Sequence, residues 1–136
     1  MKEIQVASEI KNIEKIIAFT ESELEKLDCP MKIQTQLDIA IDEIASNICR
    51  YAYGDAAGEI TVRLDFDPED RMLNLVFMDG GMPYNPLEKP DPDVTLSAEE
   101  REIGGLGIFM VKKSMDDMLY EYSEGRNILT LKKKLA

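Results

Sequence analysis

Two runs of strict alternation set the first constraint on this chain. Ile60, Val62, Leu64 and Phe66 alternate with Thr61, Arg63 and Asp65, and Leu73, Leu75 and Phe77 repeat the pattern after Asp67-Pro68-Glu69-Asp70. A period of two sends one set of side chains to one face of a strand. Joined by a turn-forming tetrad, the two runs predict an antiparallel hairpin with one apolar face. Such a face must be covered by another layer.

The covering layer is written at helical spacing. Ile10, Ile13, Ile17, Leu24 and Leu27 form one stripe, with Ser8 available as a cap and Asp28-Cys29-Pro30 as a stop. Leu37, Ile41, Ile44, Ile48 and Ala52 form a second, over a helix from about Lys32 to Tyr53. A third, through Ile108, Val111, Met115 and Leu119, follows Gly104-Gly105-Leu106-Gly107. Short strands are expected at Glu3 to Ala7, Leu119 to Ser123 and Asn127 to Lys133, the last two meeting at Glu124-Gly125-Arg126. From Gly80 to Ile103 periodicity is lost among prolines, which reads as a long binding loop or lid with a helical turn at Ser97 to Arg101. The order β-α-α-β-β-loop-α-β-β predicts a single α+β domain over residues 1–136. Its architecture is a two-layer α/β sandwich, with helices on one face of a mixed, mostly antiparallel sheet.

Charge and composition narrow the functional classes. The 16 basic against 27 acidic residues give a net charge of -11, which disfavours nucleic acid and anionic membranes and suits a partner with a basic patch. The chain has no histidine, which rules out Ser-His or Cys-His catalysis and a Cys/His zinc site. Cys29 and Cys49 read as separate, partly buried thiols in a reducing compartment. With no membrane-length apolar run and no signal pattern at the N-terminus, a cytoplasmic protein is expected. The methionines read as packing and Lys132-Lys133-Lys134 as a solvated tail.

Three groups of polar or glycine positions stand out, each with a plain alternative. Glu43 and Asn47 lie one turn apart, with Arg50 three further on, beside the apolar stripe of the second helix. They could hold a hydrated Mg²⁺ and activate a nucleophile, or form a solvated face. Asp79 continues the inward alternation of Leu73, Leu75 and Phe77 and is followed by Gly80 and Gly81. A carboxylate there needs a partner, either a ligand amino group or the turn's own amides. The glycines from Gly104 to Gly107 could bring backbone N–H groups against a phosphate at a helix start, or simply make a turn. Thr130 could touch a ligand or fill a β position.

Read together, Glu43-Ile-Ala-Ser-Asn47, Asp79-Gly-Gly81-Met-Pro-Tyr-Asn-Pro86 and Gly104-Gly-Leu-Gly107 resemble the motifs of the GHKL nucleotide-binding superfamily. That superfamily includes gyrase, histidine kinases and MutL, and the chain is most similar to its stand-alone bacterial anti-sigma factor serine/threonine kinases. The resemblance spans nearly the whole chain. It implies ATP and Mg²⁺ as cofactors, Glu43 as general base and Asn47 as Mg²⁺ ligand. Asp79 is implied to bind the adenine amino group, with Gly81 admitting the base and Thr130 near the adenine. The resemblance further implies Gly105 and Gly107 against the phosphates, within a nucleotide-binding set that also takes in Arg50, Pro83, Gly104, Leu106 and Ile108. Residues 85–103 correspond to the lid. Two positions depart from the family pattern: Pro83 replaces the last glycine of the Asp-x-Gly-x-Gly box, and Tyr51 stands where many of these kinases have histidine.

The implied activity is transfer of the ATP γ-phosphate to a serine of an anti-sigma factor antagonist, a STAS-domain protein, with a sigma factor as second partner and a homodimer as possible assembly. The alternative is an ATP-dependent binding module without turnover. A detached histidine kinase domain is disfavoured, since any phosphoacceptor histidine would lie in another protein.

Overall fold

A computed structural model of the chain describes residues 1–88 and 105–135. Strands β1 (Lys2–Ala7), β2 (Glu59–Asp67), β3 (Met72–Asp79), β4 (Asp117–Ser123) and β5 (Arg126–Lys134) form one sheet in the order β1-β2-β3-β5-β4. All four pairings among the described residues are antiparallel, so the parallel part expected of a mixed sheet is absent there. The helices are α1 (Ile13–Lys26), α2 (Met31–Asn47) and α3 (Gly105–Ser114).

The hairpin register fulfils the alternation. Val62 faces Phe77, Leu64 faces Leu75 and Phe66 faces Leu73 across β2 and β3. β5 continues the same face, with Leu129 opposite Phe77 and Leu131 opposite Leu75. These side chains and those of all three helices form one buried cluster, so the sandwich is built on one side of the sheet. α2 runs between α1 and α3 and contributes Leu37, Ala40, Ile41, Ile44 and Ala45 to it. Cutting a fully buried residue such as Ile41 back to alanine costs about 2–5 kcal/mol.

The stripes shift in detail. α1 buries Ile13, Ile16, Thr20 and Leu24, while Ile10 is exposed in a preceding 3-10 turn. Ser8 caps nothing, because Glu9 and Asn12 hold the N-cap positions without side-chain bonds. Leu119 belongs to β4 and is exposed, since α3 stops at Ser114. The final lysines are strand residues, and Lys133 Nζ donates to the Ser114 carbonyl at 2.6 Å. Four methionines, Met1, Met31, Met82 and Met110, are exposed, so packing accounts for only some of the eight. Both cysteines are free, and burial pushes both thiols above their ordinary value. Among the described residues, no helix is long and apolar enough to cross a membrane.

The end of α2 is the departure that matters for the site. From Ile48 to Ala52 the helix widens into a π turn. Here the Ala52 carbonyl accepts the Met82 N–H at 2.8 Å, joining the end of α2 to the segment after β3. Tyr53 fastens the same corner. Its hydroxyl donates to the Glu59 carbonyl at 2.6 Å and accepts the Gly80 N–H at 2.7 Å.

Candidate functional site

Where α2, α3 and the ends of β3 and β5 converge, a cavity of about 170 Å³ opens. Ile44, Ile48, Phe77, Ile108 and Leu129 give it apolar walls. Asn47, Asp79, Asn127 and three tyrosines, Tyr51, Tyr84 and Tyr120, supply the polar groups. Met82 and Pro83 come in from the segment after β3, and Pro86 from the 3-10 turn Pro86–Glu88. Pockets for drug-sized ligands run to about 300–1,000 Å³, so this one has room for a single ring system.

Asp79 reaches this cavity because it is in phase with Leu73, Leu75 and Phe77. It is only 6% exposed. Its Oδ1 accepts from the Gly81 N–H at 2.9 Å and from Asn127 Nδ2 at 3.0 Å. Its Oδ2 accepts no hydrogen bond among the described residues. A buried carboxylate with one satisfied and one open oxygen is poised to take a donor from a ligand.

Asn127 sits opposite Asp79 in the β3–β5 register. Its amide nitrogen also donates to the Met82 carbonyl at 2.8 Å. Its Oδ1 accepts the Tyr84 N–H at 2.9 Å and the Tyr120 hydroxyl. Burial holds that hydroxyl's pKa above the ordinary tyrosine value. The same pleat explains why Thr130 is elsewhere. It lies between Val76 and Leu119 in the register, on the opposite face to Leu129 and the cavity. Thr130, expected near a bound base, does not line this cavity.

On α2, Asn47 lines the cavity and Glu43 does not. Asn47 Nδ2 donates to Glu43 Oε1 at 3.2 Å, which leaves the amide oxygen of Asn47 as the group turned to other work. Gly105, Leu106 and Gly107 form the first turn of α3, and Gly107 lies directly on Glu43. A β-carbon at 107 would overlap the Glu43 carboxyl group. The first N–H groups of a helix have no partners within it, so the carboxylate is well placed against that turn. Ile108, one residue on, is 2% exposed and forms part of the wall.

Arg50 is not part of this arrangement. It is exposed on the π turn and does not line the cavity. The wider i→i+5 turn advances less angle per residue than an α-helix, so Arg50 falls out of line with Glu43 and Asn47. Gly81 lies against the end of α2. A β-carbon on it would overlap the main chain at Ala52, so its bareness lets the segment after β3 close on the end of α2. Gly104 and residues 89–103 lie outside the described residues.

Asn127, Tyr120 and Tyr53 escape a motif-based reading. For Asn127 the signal was present, since it is in phase with Leu129 and Leu131, as Asp79 is with Phe77. A polar residue at the end of an inward-facing strand alternation marks a site in both cases.

Comparison with known proteins follows the same outline. The profile of the histidine kinase-like ATPase domain family matches residues 6–133. The serine-protein kinase RsbW of Bacillus mycoides (strain KBAB4) is 33% identical over 100 residues, covering 71% of this chain and 61% of the relative. RsbW of Bacillus cereus (strain B4264) is 34% identical over the same coverage. The chain thus spans 61% of the length of these curated relatives. Among solved structures, the histidine kinase domain of the Erythrobacter litoralis EL346 blue-light activated histidine kinase aligns with a TM-score of 0.57 at 15% identity, over 78% of this chain and 46% of that one. The EL346 blue-light activated histidine kinase itself aligns at 0.61 and 15%, over 79% and 32%. At that identity the likeness is one of fold.

Proposed function

This chain belongs to the histidine kinase-like ATPase domain family, and we propose that it is a cytoplasmic ATP-dependent serine/threonine protein kinase acting on an anti-sigma factor antagonist. The observation that carries the reading is Asp79, a buried carboxylate with one oxygen unpaired among the described residues, in the wall of a cavity that also holds Asn47. The family and the RsbW relatives support the same direction.

In this reading an adenine ring enters between the apolar walls, and Asp79 accepts its amino N–H. The cavity is too small for a whole nucleotide, so the phosphates lie toward Asn47 and the first turn of α3. Gly105 and Gly107 let a phosphate come close to the main chain of this first turn, and Leu106 and Ile108 carry the turn into the helix. Pro83 stiffens the wall over the base.

Asn47 would hold a Mg²⁺ ion through its amide oxygen, a hard ligand whose direction is set by the bond from Asn47 Nδ2 to Glu43. When bound, that ion neutralises phosphate charge. Glu43 takes the proton from the attacking serine hydroxyl. Asn47, through its amide N–H, keeps the Glu43 carboxylate oriented for this. The acceptor serine is on a STAS-domain antagonist, a sigma factor is the competing partner, and the working unit is a homodimer. The net charge of -11 suits partners with basic faces.

A second reading rests on Glu43 itself. It lies under Gly107 and outside the cavity lining, an arrangement that favours ATP binding without turnover. Incubation with Mg-ATP and a STAS-domain antagonist separates the two. Phosphoserine on the antagonist, lost with Glu43→Ala and with Asn47→Ala, supports the kinase. A saturable thermal shift with ATP but no ADP formed supports the module, and no binding of ATP removes both.

A further inference from the structure

The geometry points to Asn127 as the positioning residue that sets purine preference at this cavity: it fixes Asp79 as a pure acceptor, so that an adenine-type edge is taken and a guanine-type edge refused. This inference rests on the nucleotide reading above and deepens it.

A side-chain amide has two N–H donors and an oxygen with two lone pairs. In Asn127 all four are in use, on Asp79 Oδ1, the Met82 carbonyl, the Tyr84 N–H and the Tyr120 hydroxyl. Nothing is left for a ligand, so Asn127 acts through its neighbours. Its orientation is also forced. Turning the amide over would set its oxygen against the Asp79 and Met82 oxygens and its NH₂ against the Tyr84 N–H.

Two things follow for the cavity. Asp79 Oδ1 is saturated by two donors, the Gly81 N–H and Asn127 Nδ2, and any swing of the carboxylate would break both bonds. What remains toward a ligand is an acceptor alone. Adenine offers an amino N–H on its six-membered ring where guanine offers a carbonyl oxygen. Against a fixed buried acceptor, the guanine edge leaves two oxygens facing each other unpaired. Asn127 also ties the segment 82–84 to β5, so the wall beside the base and the group that reads it are set by one side chain.

Loss of Asn127 frees Asp79 to turn or to take up a proton, and a protonated carboxyl could donate to a guanine carbonyl. Preference should therefore fall more than affinity does. Asn127→Asp carries a sharper signature. The new carboxyl faces Asp79, and the other ionisable groups here among the described residues are Tyr51, Tyr84 and Tyr120 of the cavity wall, Tyr122 on β4 and Glu88. Burial, which raises its pKa, keeps the Tyr120 hydroxyl protonated across the working range. The variant must bind a proton between the two carboxyls to restore the hydrogen bond to Asp79.

The test is calorimetric binding of ADP and of GDP to the purified chain, its Asn127→Leu and Asn127→Asp variants, and Tyr120→Phe, which removes one of the four bonds. Wild type is expected to prefer ADP by at least about tenfold, with Asn127→Leu moving the ADP:GDP ratio toward one and Tyr120→Phe moving it part of the way. Asn127→Asp should bind ADP more tightly at about pH 5.5 than at about pH 8, while wild type changes little over that interval. Should Asn127→Leu fail to fold, the other two variants carry the test. Equal losses for ADP and GDP in the variants, with no pH dependence in Asn127→Asp, overturn the inference and leave the nucleotide reading standing. A wild-type chain that binds neither nucleotide overturns both.

Discussion

Gly107 at the start of α3 rests on the carboxyl group of Glu43 in α2, with no room between them for a β-carbon. The contact joins two motifs that are far apart in sequence. Its strictness differs from that of the Gly81–Ala52 contact, because Glu43 is the end of a flexible side chain and the Ala52 carbonyl is main chain.

Gly107→Ala is therefore expected to fold. The added methyl pushes Glu43 away and breaks its 3.2 Å bond with Asn47. Thermal stability without ligand should fall by less than about 1 kcal/mol. Phosphate transfer to an antagonist should be lost, and a transfer rate equal to wild type would sink the assignment.

Gly81→Ala should behave in the opposite way. The new methyl meets main chain at Ala52, and the Met82 N–H to Ala52 bond cannot survive the shift. A cost of about 1–3 kcal/mol is expected in denaturant unfolding, whether or not nucleotide is present.

Glu43→Gln keeps the shape of the side chain and removes its capacity as a base. ATP binding by calorimetry should stay near wild type, while phosphate transfer drops by about 10²–10⁴-fold. A parallel loss of both would make Glu43 a binding residue instead.

Tyr53→Phe strips a hydroxyl that accepts from Gly80 N–H and donates to Glu59 O. Each hydrogen bond contributes about 0.5–1.5 kcal/mol net, so a loss of about 1–3 kcal/mol is expected in the unfolding free energy. The loss should appear without nucleotide, because the residue braces the corner and does not line the cavity.

Asp38 on α2 supplies a pH signature. Burial first, then its hydrogen bond and charge contact with Glu21 on α1, push its carboxyl from an ordinary 3.8 up to about 6. Its Oδ1 is buried without a partner. Between those two values the folded chain holds more proton than the unfolded one, so stability falls as pH rises through that window. Asp38→Asn should raise the melting temperature at about pH 7.5 and leave it nearly unchanged at about pH 4. A gain of equal size at both values would mean that the carboxyl's charge is not the cause.

Much of this was legible in the sequence wherever periodicity carried it. The alternation from Leu73 to Asp79 placed a carboxylate on the core face, and the β2–β3 register agrees. The phase of Leu129 and Leu131 on either side assigns Thr130 to the other face. Arg50 lies off the line of Glu43 and Asn47 for a reason that local spacing does not contain. The π turn at Ile48–Ala52 goes with a tertiary contact to the segment after Gly81, and helical arithmetic from Glu43 assumes no such turn. Leu119 and the last lysines show the same limit, since a short helix running directly into a strand leaves no sharp break in composition.

The sheet order carries a consequence for how the protein is made. β5, the last strand among the described residues, is not at the edge of the sheet but between β3 and β4. A growing chain can pair β1, β2 and β3 as they leave the ribosome, yet Asp79 stays without Asn127 until β5 has emerged, 48 residues further along. Any product cut short before Asn127 lacks one wall of the cavity and leaves β3 with an unpaired edge. The cavity is thus complete only once β5 has slotted in between β3 and β4.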